Sequence, residues 1–409
     1  MVSRGGLSPP ALFSNSLAAL SKHPNNNPGC RATRNFSETS IFSPINFYSM
    51  NRTTKSLIIL GLFLAIFTSS CKKDTLPDKG TVLSSQYNEI KVDQPSLKKQ
   101  LVTGLGGGWG CTIGPDGDLY VPDGKAGAIL RIDPKTGAYT TFASGLPKLI
   151  PEVGIGGIAD VAFLDGKAYA LVTMVDDPNL FPTGQINGIY RIDGPDSYKI
   201  IADIGAYNIA HPPTGFEFFV VTGVLYAMQQ FSGRFLVTDG HLNRVLQVSL
   251  DGKISIVKSF KDIVPTGLEV RGNQVYMSQA GPVPHLPENG KVLSFSTKSP
   301  AVTTVGFGAP LLVDVEFGRG QTLFALSQGD YSGGPEGSPA LPNTGSLVRV
   351  NADGTFSVIA DELDRPTSFE IIENTAYIVT LTGEVWTVDN IADPPFGRNH
   401  QKNLLHRHE

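Results

Sequence analysis

Between residues 111 and 388 the chain runs through one short-strand pattern six times, and few folds accommodate a repeat of that period. Each copy opens with an apolar strand and continues, after a turn, with a strand rich in Tyr, Leu, Val and Ala. A strand shaped like Ile-Leu-Arg-Ile-Asp follows, then an aromatic or β-branched strand. The first copy reads Cys111-Thr112-Ile113, Leu119-Tyr120-Val121, Ala128 to Asp133 and Tyr139 to Phe142; the second reads Asp160 to Phe163, Ala168 to Leu171, Gly188 to Asp193 and Tyr198 to Ala202. The third is irregular at its start and regains the order at Arg234, Arg244 and Ile254, while the fourth and fifth open at Thr266 and Val313. The sixth has Ser368 to Ile372, Ala376 to Val379 and Glu384 to Val388, and then no fourth strand.

Four-stranded units at this spacing predict an all-β fold, a six-bladed β-propeller over residues 99–391. Asp-Gly at four inter-strand turns supplies the backbone angles of tight hairpins. The missing last strand has a candidate in Lys99-Gln100-Leu101-Val102-Thr103, which precedes the first blade unused, so the ring is expected to be closed by this N-terminal strand. A sandwich of two sheets is the competing all-β arrangement, but it gives no reason for a truncated last copy.

Upstream, residues 50–70 have the build of a signal peptide. Arg52 and Lys55 precede an apolar run from Leu57 to Phe67, then Thr68-Ser69-Ser70 and Cys71. A transmembrane anchor needs about 20 apolar residues, and this run is about half that. The arrangement resembles a bacterial lipoprotein signal, which implies a start at Met50 and a lipid on Cys71. Residues 1–49 then form a disordered leader or a mis-assigned start. Residues 71–98 are polar and read as a flexible tether, and 392–409 as a polar C-terminal tail. Lys72-Lys73-Asp74 resembles the charged surface-export signal of many such lipoproteins. The expected location is the cell envelope: an outer-membrane lipoprotein, periplasmic or surface-exposed, with the membrane as a partner through Cys71.

Charge narrows the partners. The 33 basic and 37 acidic residues of the whole chain fall to 27 and 36 beyond residue 70, a net charge of −9. Nucleic acid is not expected, because phosphate contacts need clustered Lys and Arg. With Cys30 in the leader and Cys71 lipidated, Cys111 has no disulfide partner.

L-V-T-G-L at 101, G-P-D-G-D-L-Y-V at 114, I-A-D-V-A-F-L-D-G at 158, I-A-D-I-G-A-Y at 201, V-P-T-G-L at 264, G-S-L-V-R-V-N-A-D-G-T at 345 and R-P-T-S at 365 together resemble the ScyD/ScyE family of exported, NHL-like propellers. The resemblance covers about 101–390 and implies a fold and export, not an activity. The chain departs from the family pattern at Gly107-Gly108-Trp109-Gly110 and at Phe216 to Val224, which looks inserted.

In a propeller the innermost strands line the channel, so Asp160, Thr266, Glu269, Asp314, Ser368 and Glu370, at or near the starts of those strands, are the candidate site. Propellers resembling the gluconolactonase group hold a divalent cation there, which would make Asp160, Glu269, Asp314 and Glu370 ligands for calcium or magnesium. The structural alternative is that Asp160 and Asp314, at equivalent places in x-A-D-V-A-F and L-V-D-V-E-F, accept backbone hydrogen bonds from the next blade. His211 and His285 lie in Pro-rich loops without a readable partner, and His241, in the turn after Asp239-Gly240, is expected to face water. Cys111 reads as a small apolar core group on a strand. No G-x-S-x-G, C-x-x-C or phosphate loop occurs. The long loops 175–187 and 329–344 are expected to contact a ligand. These features favour binding of a small molecule or an envelope protein through the loops at one end. A divalent-metal-dependent hydrolase or lactonase is the alternative, and a structural scaffold a third.

Overall fold

The computed structural model describes residues 98–392 except 152, 153, 155, 216 and 217. The leader, signal peptide, Cys71, the tether up to residue 97 and the tail from residue 393 lie outside the described residues. The chain opens with β1 (Lys98–Val102) and then lays down strands in sequence order. Blade 1 is β2 (Thr112–Ile113), β3 (Leu119–Asp123), β4 (Ala128–Ile132) and β5 (Tyr139–Ala143); blade 2 is β6 (Gly157–Leu164), β7 (Lys167–Thr173), β8 (Gly188–Gly194) and β9 (Ser197–Asp203). Blade 3 is β10 (Leu225–Phe231), β11 (Arg234–Asp239), β12 (Arg244–Val248) and β13 (Ile254–Ser259). Blade 4 is β14 (Pro265–Arg271), β15 (Gln274–Gln279), β16 (Lys291–Ser296) and β17 (Val302–Phe307); blade 5 is β18 (Leu312–Phe317), β19 (Leu323–Ser327), β20 (Gly345–Val350) and β21 (Phe356–Leu363). Blade 6 is β22 (Pro366–Ile372), β23 (Thr375–Thr380) and β24 (Val385–Asp389), and its outermost strand is β1.

The ring therefore closes as expected: β1 pairs antiparallel with β24, with Lys98 opposite Val388, Gln100 opposite Trp386 and Val102 opposite Val385. Gln100 Nε2 donates to Glu384 Oε1 at 2.8 Å and Thr387 Oγ1 to the Lys99 carbonyl at 3.3 Å. Val102 is buried with Leu105, Leu119 and Tyr377, so the closing strand also joins blade 6 to blade 1 through the core.

Blade sheets are covered on both faces, so their middle strands read as unbroken apolar runs; every residue of β3 is buried. The outer strands β5, β9, β13 and β17 face water and are largely exposed. Aromatic rings interlock between neighbouring blades. Tyr120 meets Phe163 edge-on with centroids 4.8 Å apart, Tyr169 lies 4.8 Å from Phe235, and Tyr276 meets Phe317 at 4.8 Å. Hydroxyls stitch the inner rims together. Thr173 Oγ1 accepts from the Leu225 N–H, Thr238 Oγ1 donates to the Thr266 carbonyl, Thr266 Oγ1 to that of Leu312, and Thr367 Oγ1 to that of Gly108. At Asp165-Gly166 both residues have positive φ, 51° and 73°, the two-residue hairpin geometry that Asp-Gly favours.

Two elements were not read from the sequence. A short helix, α1 (Ile204–Ala210), follows β9 and is capped by the Asp203 carboxylate accepting from the Ala206 N–H at 2.8 Å. Strand β10, the innermost of blade 3, is Leu-Tyr-Ala-Met-Gln-Gln-Phe, and its half-buried Tyr226, Ala227 and Gln229 line the channel.

Candidate functional site: a cavity at the channel mouth

The register aligns the innermost strands. Thr112, Ala162, Gln229, Glu269, Glu316 and Glu370 each stand opposite the second core residue of the next strand, respectively Tyr120, Tyr169, Leu236, Tyr276, Phe324 and Tyr377. They form one layer of the channel, and three adjacent blades contribute glutamates to it. Asp160 and Asp314 sit two residues earlier on β6 and β18. Of the four carboxylates expected from the sequence, Asp160, Asp314 and Glu370 line one chamber of the channel and Glu269 shares the layer by register; Glu316 lines it too, which sequence reasoning missed although it lies in the motif L-V-D-V-E-F.

The aspartates are engaged with the protein itself. Asp160 Oδ2 accepts from the Met228 N–H of blade 3 at 2.7 Å, and its Oδ1 from the Val161 N–H at 2.8 Å. Asp314 repeats this three blades on: Oδ2 accepts from Ser368 Oγ at 2.7 Å and from the Phe369 N–H of blade 6 at 3.0 Å, and Oδ1 from the Val315 N–H at 2.9 Å. Gly110 and Gly267 make room on the preceding blades, since a Cβ there would stand 2.1 Å from Asp160 Oδ1 and 2.3 Å from Asp314 Oδ1. Each aspartate is a strut between blades. Glu269 accepts from Gln229 Nε2 at 3.0 Å.

Among the described residues, no Lys or Arg lines this part of the channel. Burial pushes the Asp314 carboxyl up to about 7, and burial followed by repulsion from neighbouring carboxylates drives Glu316 and Glu370 well above the usual range. Burial raises Asp160 and Glu269 as well. Among the described residues, no three His, Cys, Asp or Glu side chains come together in a way that could hold a metal ion. With the aspartate oxygens occupied by N–H and O–H donors, the donor set does not fit the divalent cation anticipated for Asp160, Glu269, Asp314 and Glu370.

Above this acidic layer two aromatic rings cross the channel. Tyr226 on β10 crosses from blade 3 and donates its hydroxyl to the Thr367 carbonyl of blade 6 at 3.3 Å. Trp109, just before β2, lies against it with ring centroids 5.9 Å apart and planes tilted by 30°. These two rings separate an acidic chamber of about 30 Å³ from a cavity of about 340 Å³ at the end where the innermost strands begin.

The upper cavity has apolar walls: Met174, Val224, Val264, Ala280, Leu311, Val313 and Leu381 around the sides, and Phe219 and Val220 from the inserted segment. Its polar groups are Asp262, Thr266, Gln328, Ser338, His241, His285 and Glu336. Of the two loops expected to contact a ligand, 329–344 supplies Glu336 to Pro339 to the wall. Loop 175–187 instead supports the inserted segment: the buried Asp177 Oδ2 accepts from the N–H and hydroxyl of Thr222, both at 3.2 Å.

His241 corrects its sequence expectation. It is 9% exposed, not solvated, because the inserted segment folds back over its turn. The Val220 N–H donates to Nε2 at 3.2 Å, which leaves the proton on Nδ1 to be donated to Glu336 Oε1 at 2.9 Å. The Phe219 ring meets the imidazole edge-on at 4.5 Å. His241 in turn holds the Glu336 carboxyl below the usual range. No local signal pairs His241 with a glutamate 95 residues away. His285 is buried, with Nδ1 2.7 Å from the Gly281 carbonyl. His211 stacks on Tyr207 at the end of α1, away from the cavity. Cys111 is buried immediately before β2 with Sγ 3.4 Å from Ser368 Oγ, and burial pushes its thiol up, as suits an unreactive core group.

No protein-family model and no curated protein sequence matches the chain. Among solved structures it is similar to luciferin-regenerating enzyme, with 11% identity over 73% of this chain and 96% of that one and a TM-score of 0.49. It is also similar to a gluconolactonase from Xanthomonas campestris (10% identity, 71% and 89% covered, TM-score 0.48) and to virginiamycin B lyase from Staphylococcus aureus (13% identity, 72% and 98% covered, TM-score 0.44). Similarity at this level carries no chemistry across, and the six-bladed ring rests on the strand order of the chain itself.

Proposed function

We propose that this protein binds a small molecule in the cavity at the mouth of its channel, and that it does so as a lipid-anchored envelope protein of the ScyD/ScyE type. The observation that supports this reading is the cavity: about 340 Å³, floored by Trp109 and Tyr226, largely apolar, with a few polar groups on its wall. Both places where the chain departs from the ScyD/ScyE pattern contribute to it, Trp109 to the floor and the segment containing Phe219, Val220 and Val224 to the wall. A binding role suits a pocket whose chain-specific parts are the ones that shape it. The hydrolase alternative has less support, because two of the carboxylates that would carry a metal, Asp160 and Asp314, are spent on inter-blade hydrogen bonds.

The test is a small-molecule screen read by thermal unfolding. A ligand at one hundred times its Kd is expected to stabilise the protein by about 2.7 kcal/mol. Leu381→Trp, which fills the cavity from its rim, is expected to abolish that gain while leaving the unliganded melting temperature close to the parent's. A ligand that stabilises both proteins equally binds elsewhere and contradicts the proposal.

A further inference from the structure

The cavity selects by charge as well as by size, and we infer that its ligand is an organic cation: a small apolar molecule carrying an ammonium or comparable positive group. This rests on the proposal that the cavity is a binding site. The charged side chains on the wall are acidic, Glu336 and Asp262, and neither Lys nor Arg is among the lining residues. The chamber beneath the floor is likewise lined by acids, Asp160, Asp314, Glu316 and Glu370, with no basic residue. Among the described residues an anion entering the cavity meets no lysine or arginine, whereas a cation meets the Glu336 carboxylate at the rim.

Two further features match a cation with an apolar body. The floor is a pair of aromatic rings, Trp109 and Tyr226, and Phe219 adds a third to the wall; ring faces attract a desolvated cation, tryptophan most strongly. Glu336 is fixed in place by the Nδ1–H of His241, whose own orientation is set by the Val220 N–H, so the acceptor is pre-positioned rather than recruited from solvent. The Glu336 side chain is 52% exposed, so one part of it is free for a ligand while Oε1 holds the histidine. Apolar surface at the mouth continues the character of the interior, since Phe219 and Val283 are 53% and 42% exposed.

The chain contains two tryptophans, Trp109 and Trp386. In Trp386→Phe, fluorescence reports from the cavity floor alone. Three probes are titrated: benzyltrimethylammonium, its neutral carbon isostere neopentylbenzene, and the anion phenylacetate. Benzyltrimethylammonium is expected to change the Trp109 emission with an affinity at least about tenfold above that of neopentylbenzene, and phenylacetate to give no response. Glu336→Gln, a substitution at a half-exposed rim position, is expected to weaken the cation about tenfold and leave the neutral isostere unchanged. Equal binding of cation and isostere, or a Glu336→Gln protein that binds the cation as the parent does, overturns the charge selection and leaves the cavity reading standing. Tighter binding of phenylacetate overturns it as well. No response to any of the three probes overturns both the inference and the binding reading beneath it.

Discussion

At the scale of single residues, the channel carboxylates make stability depend on pH with a definite sign. Asp314 titrates at about 7 in the folded protein, and Glu316, Glu370 and Asp160 lie well above their usual range, because each is buried and some repel one another. A carboxyl whose folded pKa is raised keeps its proton where the unfolded chain has released it. Its contribution is therefore intact below about pH 4 and is lost as pH climbs through the folded value. The protein is expected to unfold at lower urea concentration at pH 8 than at pH 5. Glu316→Gln, which keeps the shape and removes one titration, is expected to flatten that slope by up to about 1.4 kcal/mol per pH unit. Equal urea midpoints at pH 5, 6, 7 and 8 would refute the account. Calcium or magnesium is expected to leave the melting temperature unchanged, and a rise that Asp314→Ala abolishes would restore the metal reading.

At the scale of elements, β1 carries more of the ring's integrity than its five residues suggest. Placing a charge at Val102, which is 5% exposed and packed between blades 6 and 1, is expected to cost about 3 kcal/mol and lower the melting temperature by several degrees. Lys99→Ala, on the exposed side of the same strand, serves as the control and is expected to be nearly neutral. The closure was legible in the sequence because it is a matter of counting: blade 6 lacks a strand, and Lys99 to Thr103 had no other use. The middle strands were legible because two-sided burial leaves continuous apolar runs. Strand β10 was not, since Tyr226, Gln229 and Gln230 mix polarity in the way of a channel lining and mimic a loop. Nor was the cavity. Its wall is assembled from Trp109, Val220, His241 and Glu336, residues brought together only by ring closure and by a segment folding back, and neither leaves a periodic trace. Arg244 is a comparable case. It is 1% exposed, with its guanidinium donating to Asn208 Oδ1 and to the His211 carbonyl, both at 2.7 Å, and so secures α1 to blade 3. Arg244→Ala is expected to cost about 3 kcal/mol, measured by urea unfolding, because it strips partners from the buried Asn208 and Asp239.

At the scale of the whole molecule, the six blades place the loops that precede their innermost strands at one rim and their closure on the outermost strand of blade 6. The signal-like segment ending at Cys71 precedes that closing strand, so the proposed lipid would tether the protein from the edge of the ring through residues 71–97. Cells given labelled palmitate are expected to label the full chain, and Cys71→Ser is expected to remove the label without altering the melting temperature of the ring. An unlabelled, secreted parent protein would contradict the anchoring.

Tyr226 spans the bore from blade 3 to blade 6, and that brace has a kinetic corollary. On the proposed binding reading the molecule would work as a thimble and not a pipe: a guest would leave through the doorway it arrived by. Exchange would then require the first guest to depart, and its dwell time would be set by the segments around Phe219 and Glu336 at the doorway.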